Sequence, residues 1–409
     1  MCSRAVRPSA VDAGMHVPRR PGTHAGGSPP DGSESDGSPG GGRERAVTND
    51  GVERGHRARS GTNPGRSEGG GHAVVVVVPV PGRRNRFDAR RPGGRMPTET
   101  GPVPATAHDI AGPAGTLRVT EWRPEKPTDG VLFVHGATYP GRAIFGSGLD
   151  GPSGWGPWTM TRGDAAFALD VRGYGSSHAV DPGPDDEPPA RTAAAAGDLA
   201  AAVEWATDRV DRLHLVGTSW GTLVCGRYLA TRTDPPVVSV ALHAPVYDLS
   251  PAVRDRLAFD GPFRTVQRDG ARARWAAQAP ADADTDRWLA GFDAFWSTYV
   301  ANAGSVVDDA TDSTTATVRV PNGCLADILA AADGDTPYDP AAVETPALVV
   351  RGTADHTSVR PDALGVYDRL GGAPGSNAYA EIDGGTHFVH LEPPRERLFD
   401  LVRSFQRSH

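Results

Sequence analysis

Short, uninterrupted apolar runs alternate along the chain with longer segments of helical spacing. Such runs are typical of strands that are buried on both faces of a parallel sheet. We predict an opening strand within Gly115–Pro124, followed by strands at Val131–Val134, Ala165–Leu169, Leu213–Val216, Val237–Leu242, Ala347–Val350 and Tyr379–Ile382. We predict helices at Thr192–Arg209, Thr222–Ala230 and Arg395–Phe405. This alternation predicts βαβ units and an α/β fold with a mostly parallel sheet flanked by helices.

One interval is too long for a simple connection between strands. Roughly a hundred residues separate the strand Val237–Leu242 from the strand Ala347–Val350, whereas a direct crossover needs only about a dozen. Aromatic residues recur within it at the spacing of one helix face, at Trp288, Phe292, Phe295, Trp296 and Tyr299. We therefore predict a helical cap at residues 250–340, inserted into a core formed by residues 96–249 and 341–409.

Residues 1–95 differ in composition from the rest of the chain. They are rich in Gly, Pro, Ser and Arg and poor in aromatic residues, so they bury too little apolar surface to offset their chain entropy. We expect a disordered tail, with Met96 as an alternative translation start. The apolar run Ala73–Val80 is too short to span a membrane, and no export signal surrounds it. A functional arginine-rich tail that contacts anions is the alternative.

Charge and cysteine content narrow the range of partners. The formal net charge is −8, and the chain beyond residue 95 carries 26 basic and 41 acidic side chains. Such a surface repels nucleic acids and anionic membranes, so we expect neither as a partner. Cys2, Cys225 and Cys324 are too far apart in sequence to predict a metal cluster or a disulfide framework. We expect a cytoplasmic protein that acts on a small molecule without a metal or cofactor.

Ser219 lies in the pentapeptide Gly217-Thr218-Ser219-Trp220-Gly221, between a predicted strand and a predicted helix. This is the setting of the G-x-S-x-G nucleophile elbow, a strained turn that exposes the serine hydroxyl above the edge of the sheet. The flanking positions are glycine because a side chain there would collide with the neighbouring strand or helix. The motif alone is a weak signal in a chain with 51 glycines. Its interpretation as a nucleophile elbow therefore depends on whether the other catalytic residues are present in the expected order.

A carboxylate and an imidazole follow the last two predicted strands. Asp355 lies in the loop after Ala347–Val350, and His387 lies in the loop after Tyr379–Ile382. Both loops lie at the carboxyl edge of the predicted sheet, where the chemistry of open α/β folds collects. The chain order Ser, Asp, His is the order found in α/β-hydrolases. It predicts Ser219 as the nucleophile, His387 as its base and Asp355 as the acid that orients the base.

Alternatives exist for each member of this triad. An aspartate after a strand is commonly a turn former or a helix N-cap, and a lone histidine is commonly structural. Asp248, in the loop after the strand Val237–Leu242, is the alternative acid because a carboxylate there can also reach the histidine. His390 is the alternative base.

Two backbone N–H groups are predicted to bind the oxyanion that forms when a serine attacks a carbonyl. One belongs to Trp220, directly after the nucleophile. The other belongs to Ala137, in the loop that follows the strand Val131–Val134. Gly136 lets this loop turn sharply, which directs the N–H of Ala137 toward the site. An ordinary turn at the end of a strand is the alternative interpretation.

Residues 110–409 resemble the α/β-hydrolase superfamily. The resemblance rests on His135-Gly136, on the segment Asp170-Val171-Arg172-Gly173-Tyr174-Gly175-Ser176-Ser177, on the elbow at Ser219, and on Asp355 and His387. It implies an α/β-hydrolase fold with an inserted cap. Haloalkane dehalogenases and epoxide hydrolases of this fold use an aspartate nucleophile, so the serine argues against both. Asp170 and Arg172 are expected to fix a loop.

The Gly-x-Ser-Trp-Gly elbow is similar to that of proline iminopeptidases. Their oxyanion loop reads His-Gly-Gly-Pro-Gly, however, whereas this chain has Ala137-Thr138-Tyr139 after the His-Gly pair. Their cap also supplies glutamates for the amine of the substrate, and no Glu occurs here between Glu204 and Glu344. We therefore predict a serine hydrolase of carboxylic esters that forms an acyl-enzyme on Ser219. An amide or peptide hydrolase of the iminopeptidase type and a non-catalytic ligand-binding protein are the alternatives.

The aromatic face of the cap has two interpretations. Together with Trp155 and Trp158 it either contacts an apolar group of the substrate or fixes the cap to the sheet domain. We favour the second interpretation.

Overall fold

The computed structural model describes residues 75–78, 104–149, 154–247, 249–279, 284–304 and 312–409. The strands are β1 (Val75–Val78), β2 (Thr106–Ala111), β3 (Thr116–Trp122), β4 (Gly130–Val134), β5 (Ala165–Asp170), β6 (Leu213–Thr218), β7 (Ser239–His243), β8 (Phe263–Gln267), β9 (Thr317–Pro321), β10 (Ala347–Gly352) and β11 (Ala378–Ile382). The α-helices are α1 (Gly141–Gly146), α2 (Trp155–Thr161), α3 (Thr192–Thr207), α4 (Trp220–Ala230), α5 (Pro251–Arg254), α6 (Arg268–Ala276), α7 (Thr285–Trp288), α8 (Phe292–Ala301), α9 (Gly323–Ala332), α10 (Arg360–Tyr367) and α11 (Arg395–Arg407).

Nine of the described strands form one sheet in the order β1-β11-β10-β7-β6-β4-β5-β3-β2. All pairs from β1 to β5 in this order are parallel, and only the β5–β3 and β3–β2 pairs are antiparallel. Every residue of β4, β5, β6, β7 and β10 is buried, as expected of strands covered on both faces. The predicted fold, a mostly parallel sheet flanked by helices, is confirmed.

Two strands at the edges of the sheet were not predicted. β2 carries a single buried residue, Ile110, so its sequence lacks the alternation that marks a half-buried strand. β1 pairs in parallel with β11 and lies within residues 1–95, for which we expected no folded structure. The rest of that segment lies outside the described residues.

The predicted insertion lies between β7 and β10 and is not purely helical. It contains α5 to α9 together with β8 and β9, which pair antiparallel as a separate two-stranded sheet. The single aromatic helix that we predicted is wrong, because α7 ends at Trp288 and α8 begins at Phe292. Gly291 lies between them, and a Cβ atom there would be 1.5 Å from the carbonyl oxygen of Leu149. The boundaries of the cap at residues 250 and 340 stay a prediction.

Aromatic packing attaches the insertion to the sheet domain. Tyr139, in the loop after β4, makes edge contacts with Phe295 and Tyr299 of α8, at ring-centroid distances of 5.2 and 4.9 Å. Within the sheet domain, Trp155 of α2 stacks on Phe399 of α11 at 4.7 Å. All five rings are buried. The aromatic face therefore packs against protein, in agreement with the interpretation that we favoured.

Candidate active site

Ser219 occupies a sharp turn between β6 and α4. Its backbone has φ 55° and ψ −121°, a conformation that is strained for a residue with a Cβ atom. The N–H of Ser219 donates to the carbonyl oxygen of His243 on the neighbouring strand β7 at 2.9 Å, which holds the turn against the sheet. Trp220 follows directly as the first residue of α4. The strand–turn–helix setting predicted for the elbow is present.

The two glycines that flank the elbow have no room for a side chain. A Cβ atom on Gly217 would lie 2.5 Å from the carbonyl oxygen of Gly221, and one on Gly221 would lie 2.3 Å from the carbonyl oxygen of Val134. Real Cβ atoms do not approach a carbonyl so closely, so the backbone would have to move. These contacts set the distance between α4 and the end of β4, where the oxyanion loop begins.

Gly221→Ala is expected to lower the free energy of unfolding by about 1–3 kcal/mol, because the added methyl group forces α4 away from β4. The matched control is Gly270→Ala in α6, where a Cβ atom would meet nothing within 4 Å. The control is expected to raise stability by roughly 0.5–1 kcal/mol, as Gly is a poor helix former. Urea unfolding of both variants measures these changes. A Gly221→Ala variant as stable as the wild type would contradict the packing described.

Asp355, His387 and Ser219 form a hydrogen-bonded chain. Nδ1 of His387 lies 2.9 Å from Oδ2 of Asp355, and Nε2 lies 3.0 Å from Oγ of Ser219. The other carboxylate oxygen of Asp355, Oδ1, accepts the N–H groups of Thr357 at 2.7 Å and Ser358 at 2.8 Å. Asp355 is therefore both a turn former, through Oδ1, and a partner of the imidazole, through Oδ2.

The electrostatic environment keeps the Asp355 carboxyl ionised. The side chain is buried, which alone would raise its pKa. The His387 imidazole and the N–H donors of Ser358 and Thr357 outweigh that effect and hold the pKa below its ordinary value. An ionised carboxylate accepts a hydrogen bond from Nδ1–H of His387, which leaves the lone pair of Nε2 directed at the serine hydroxyl.

The loop that carries His387 is held from two sides. The backbone N–H of His387 donates to Oε1 of Gln278, in the insertion, at 3.3 Å. The hydroxyl and the N–H of the preceding Thr386 both donate to the buried Glu392 carboxyl. Burial raises the pKa of Glu392 to about 7, against the opposing effect of these donors. His387 is thus anchored by the insertion as well as by its own loop.

The loop after β4, which carries the predicted oxyanion donor Ala137, approaches Ser219 through Gly136. A Cβ atom at Gly136 would be 3.1 Å from Cβ of Ser219, so only glycine fits without displacement. Nδ1 of His135 donates to the carbonyl oxygen of Gly136 at 2.7 Å, while its Nε2 accepts the N–H of Val171 at 3.2 Å. Burial lowers the pKa of His135 to about 4, against the effect of the hydrogen bond to Gly136. A neutral His135 therefore fixes the peptide that carries the N–H of Ala137.

The two predicted oxyanion donors lie on rigid supports. The carbonyl oxygen of Ala137 accepts the hydroxyl of Tyr174 at 2.9 Å and also Nη2 of Arg264. Trp220 is completely buried, and its indole N–H donates to Oγ1 of Thr192 at 2.9 Å. Because Trp220 is the first residue of α4, its backbone N–H has no acceptor within the helix. Both N–H groups stay predictions as oxyanion donors.

The D-x-R-G-x-G-x-S segment makes structural contacts. Oδ1 of Asp170 accepts the N–H of Gly141, at the start of α1, at 2.7 Å, and Oδ2 accepts the N–H of Ser176 at 3.3 Å. Burial raises the pKa of Asp170 to about 7, with these N–H donors opposing it. Arg172 forms an ion pair with Asp198 at 2.6 Å. These contacts fix the loop after β5, as we expected of Asp170 and Arg172.

One of the two alternative residues, His390, can be placed in the structure. Asp248 lies outside the described residues. His390 is buried, and its ring packs against that of His243 at 5.1 Å. Its two ring nitrogens have no hydrogen-bond partner among the described residues. Burial, and then the proximity of His387, lower the pKa of His390 to about 3, so it is neutral at physiological pH.

Ser219 and His387 line a cavity of about 270 Å³. The oxyanion loop, Gly136 to Tyr139, forms one wall. The other walls come chiefly from the insertion and the loops after β10 and β11, and include Arg256, Leu257, Arg264, Arg274, Gln278 and Phe388. Trp155, Trp158 and the aromatic residues of α8 are not among its lining residues. The cavity is the size of a small organic molecule and opens directly onto the serine hydroxyl.

Sequence reasoning did not single out Arg256, Arg264, Arg274 or Gln278. No motif marks them, because the insertion has no fixed spacing relative to the elbow. Within the described ranges, no group of three or more side chains is arranged to hold a metal ion. No helix in that part of the chain is long and apolar enough to cross a membrane. The cytoplasmic location and the lack of a nucleic-acid partner stay predictions.

Comparison with known proteins identifies the family to which this chain belongs. The sequence model of the alpha/beta hydrolase family matches residues 131–401, which is more than half of the 409-residue chain. The chain therefore belongs to the alpha/beta hydrolase family, and this membership supports hydrolase chemistry on the scaffold. The comparison with curated protein sequences gave no match.

Solved structures share the fold at low sequence identity. A thermophilic esterase from Thermogutta terrifontis, with malate bound, is 17% identical, with a TM-score of 0.51 over 74% of this chain and 99% of that one. An esterase from Exiguobacterium antarcticum is 13% identical, with a TM-score of 0.51 over 74% and 100%. The enol-lactonase from Burkholderia xenovorans is 16% identical, with a TM-score of 0.50 over 73% and 99%. At such identities the likeness concerns the fold.

Proposed function

We propose that this protein is a cofactor-independent serine hydrolase of carboxylic esters that works through an acyl-enzyme on Ser219. The observation that carries the proposal is the continuous hydrogen-bonded line from Asp355 through His387 to Ser219, with distances of 2.9 and 3.0 Å. A nucleophile, a base within hydrogen-bond reach and a group that orients the base are the parts that acyl transfer from serine requires.

In the first half of the reaction, Oγ of Ser219 attacks the ester carbonyl carbon as its proton passes to Nε2 of His387. The Asp355 carboxylate stabilises the imidazolium that forms and keeps the ring in place. The N–H groups of Ala137 and Trp220 donate to the oxyanion of the tetrahedral intermediate. His387 then gives the proton to the departing alkoxide oxygen, and the carbon–oxygen bond of the ester breaks to leave the acyl group on Ser219.

In the second half, a water molecule takes the place of the alcohol. Nε2 of His387 accepts a proton from the water as its oxygen attacks the acyl carbon, and the same two N–H groups bind the oxyanion. The proton then returns to Oγ of Ser219 as the acyl bond breaks, which releases the carboxylic acid. Nothing is oxidised or reduced, so the residues of the site suffice for the reaction.

The insertion favours an ester over a peptide with a free amine. Binding an ammonium group requires a carboxylate, and no Asp or Glu is among the lining residues of the cavity within the described structure. The arginines in its walls would repel such a substrate. This charge argues against the iminopeptidase alternative on grounds that are independent of the oxyanion-loop sequence.

The test compares 4-nitrophenyl acetate and butyrate with the 4-nitroanilides of proline and alanine. We expect turnover of the esters, and a kcat/KM for the anilides lower by at least about 100-fold, since the amines meet unpaired like charge and amides are the harder bonds to cleave. Preferential cleavage of the anilides would support the peptidase alternative. Binding of the esters without turnover would support the non-catalytic alternative.

A further inference from the structure

The six arginines between residues 254 and 274 fall into two sets. Arg254, Arg268 and Arg272 each form an ion pair with an aspartate, at distances of 2.5, 2.5 and 3.3 Å respectively. None of these three lines the cavity that contains Ser219. These ion pairs are ordinary for the surface of a chain with an excess of acidic residues.

Arg256, Arg264 and Arg274 form the second set, and all three line the cavity. Arg256 donates to the carbonyl oxygen of His356 at 2.7 Å, and Arg274 donates to the hydroxyl of Tyr139 at 3.1 Å. The neutral acceptors of Arg264 are more numerous and include the carbonyl oxygens of Ala137 and Pro321, the side chains of Thr138 and Asn322, and Sγ of Cys324. Among the described residues, no carboxylate lies within 4.0 Å of any of the three.

The three arginines of the cavity differ in how many of their N–H donors already have an acceptor. Both terminal nitrogens of Arg264 are used in holding the oxyanion loop and the end of β9, so this residue has a positioning role. Within the described part of the chain, Arg256 and Arg274 each make one hydrogen bond, whereas a guanidinium has five N–H donors. Their remaining donors and their full charges are available to a molecule in the cavity.

The charge of the cavity is opposite to that of the protein. The whole chain has a formal net charge of −8, yet the described walls contain three arginines and no acidic side chain. The Asp355 carboxylate is not among the lining residues, and it accepts hydrogen bonds from the His387 imidazole and from two backbone N–H groups. In a partly enclosed site the field of such charges is focused on the bound molecule. An anionic group is the ligand that guanidinium groups bind most strongly.

We propose that the substrate of this site is an ester that carries a second, anionic group, a carboxylate or a phosphate, which Arg256 and Arg274 bind while Ser219 attacks the ester carbonyl. This inference rests on the proposed function, because it names the substrate class of the same site. It goes further in assigning specificity to two residues of the insertion, where no catalytic motif lies.

The first test compares substrates that differ only in charge. Mono-4-nitrophenyl glutarate carries a carboxylate, its methyl ester is neutral, and 4-nitrophenyl 4-phosphonobutanoate carries a phosphonate in the same place. We expect kcat/KM for the better anionic substrate to exceed that for the neutral ester by about tenfold or more. The preference should shrink as NaCl is raised, since salt screens charges at the cavity mouth. The ranking of the two anions identifies the group.

The second test uses Arg256→Gln and Arg274→Gln, with Arg272→Gln as the matched control. Arg272 lies on the same helix as Arg274 but pairs with Asp286 at the surface. The quantity compared is the ratio of kcat/KM for the anionic ester to that for the neutral ester. We expect each cavity variant to lower this ratio by about tenfold, the usual effect of losing one charged hydrogen bond. The control is expected to keep the wild-type ratio.

The outcomes separate this inference from the proposed function. Turnover of the neutral ester with no preference for either anion, or an unchanged ratio in both cavity variants, would overturn the inference alone. No turnover of any ester by folded protein would overturn the proposed function, and the inference with it. Arg256→Gln provides a variant with little risk to folding, because Arg256 is exposed and makes one hydrogen bond with the described residues.

Discussion

Ser219→Ala is expected to lower kcat for ester hydrolysis by a factor on the order of 10⁴ to 10⁶, the effect seen when a serine hydrolase loses its nucleophile. The fold should be unaffected, because alanine has the same Cβ atom and the serine hydroxyl has a single hydrogen-bond partner among the described residues, Nε2 of His387 at 3.0 Å. The strained backbone at φ 55° is equally strained with alanine. The measurement is the steady-state rate with 4-nitrophenyl butyrate, alongside thermal unfolding.

The control for this substitution is Ser176→Ala, a change of the same chemistry at an exposed position near the oxyanion loop. It is expected to keep kcat within a factor of about two, as surface substitutions rarely have larger effects. A Ser219→Ala variant with a rate within tenfold of the wild type would reject Ser219 as the nucleophile.

Asp355→Asn is expected to lower kcat by roughly 10⁴-fold, as for the corresponding change in other serine hydrolases. The structure gives the reason. Oδ1 accepts two N–H groups, from Thr357 and Ser358, so the amide oxygen of asparagine must take that position and its NH₂ group must face Nδ1 of His387. The ring is then forced into the tautomer with hydrogen on Nε2, which cannot accept the proton of the serine.

Asp248→Asn is the matched comparison, since Asp248 is the alternative acid from the sequence. It is expected to keep kcat within a few-fold of the wild type. Steady-state rates of both variants, with thermal unfolding to check the fold, decide between the two carboxylates. A mild effect of Asp355→Asn combined with a severe effect of Asp248→Asn would transfer the orienting role to Asp248.

The sheet was predictable because its strands leave a local signal. β4, β5, β6 and β10 are buried on both faces, and their sequences are short, mainly apolar runs that start within a residue of the observed strand. β2 could not be predicted in this way, because most of its residues are exposed at the edge of the sheet and its sequence therefore contains few apolar residues. The triad residues could be placed because each follows a strand at the carboxyl edge, so the chain order alone brings them together.

The presence of the insertion could be predicted from the sequence, but its secondary structure and its contacts could not. Its length showed that an element was present, but the break at Gly291 depends on how closely the chain passes Leu149, about 140 residues earlier in sequence. The same holds for Arg256 and Arg274. Arg256 donates to the carbonyl oxygen of His356 and Arg274 to the hydroxyl of Tyr139, which lie 100 and 135 residues away in sequence, and no local pattern records these contacts. The residues proposed to determine substrate specificity are therefore the ones that could not be predicted from the sequence.

The most direct test of serine catalysis is labelling of the native protein by a fluorophosphonate, followed by peptide mapping by mass spectrometry. We predict a single adduct on the peptide that contains Ser219, and none in the Ser219→Ala variant. The labelling requires an activated serine beside an assembled oxyanion site, so it reports on the whole constellation at once. Folded protein that does not react, or that reacts at another serine, would contradict the mechanism proposed here.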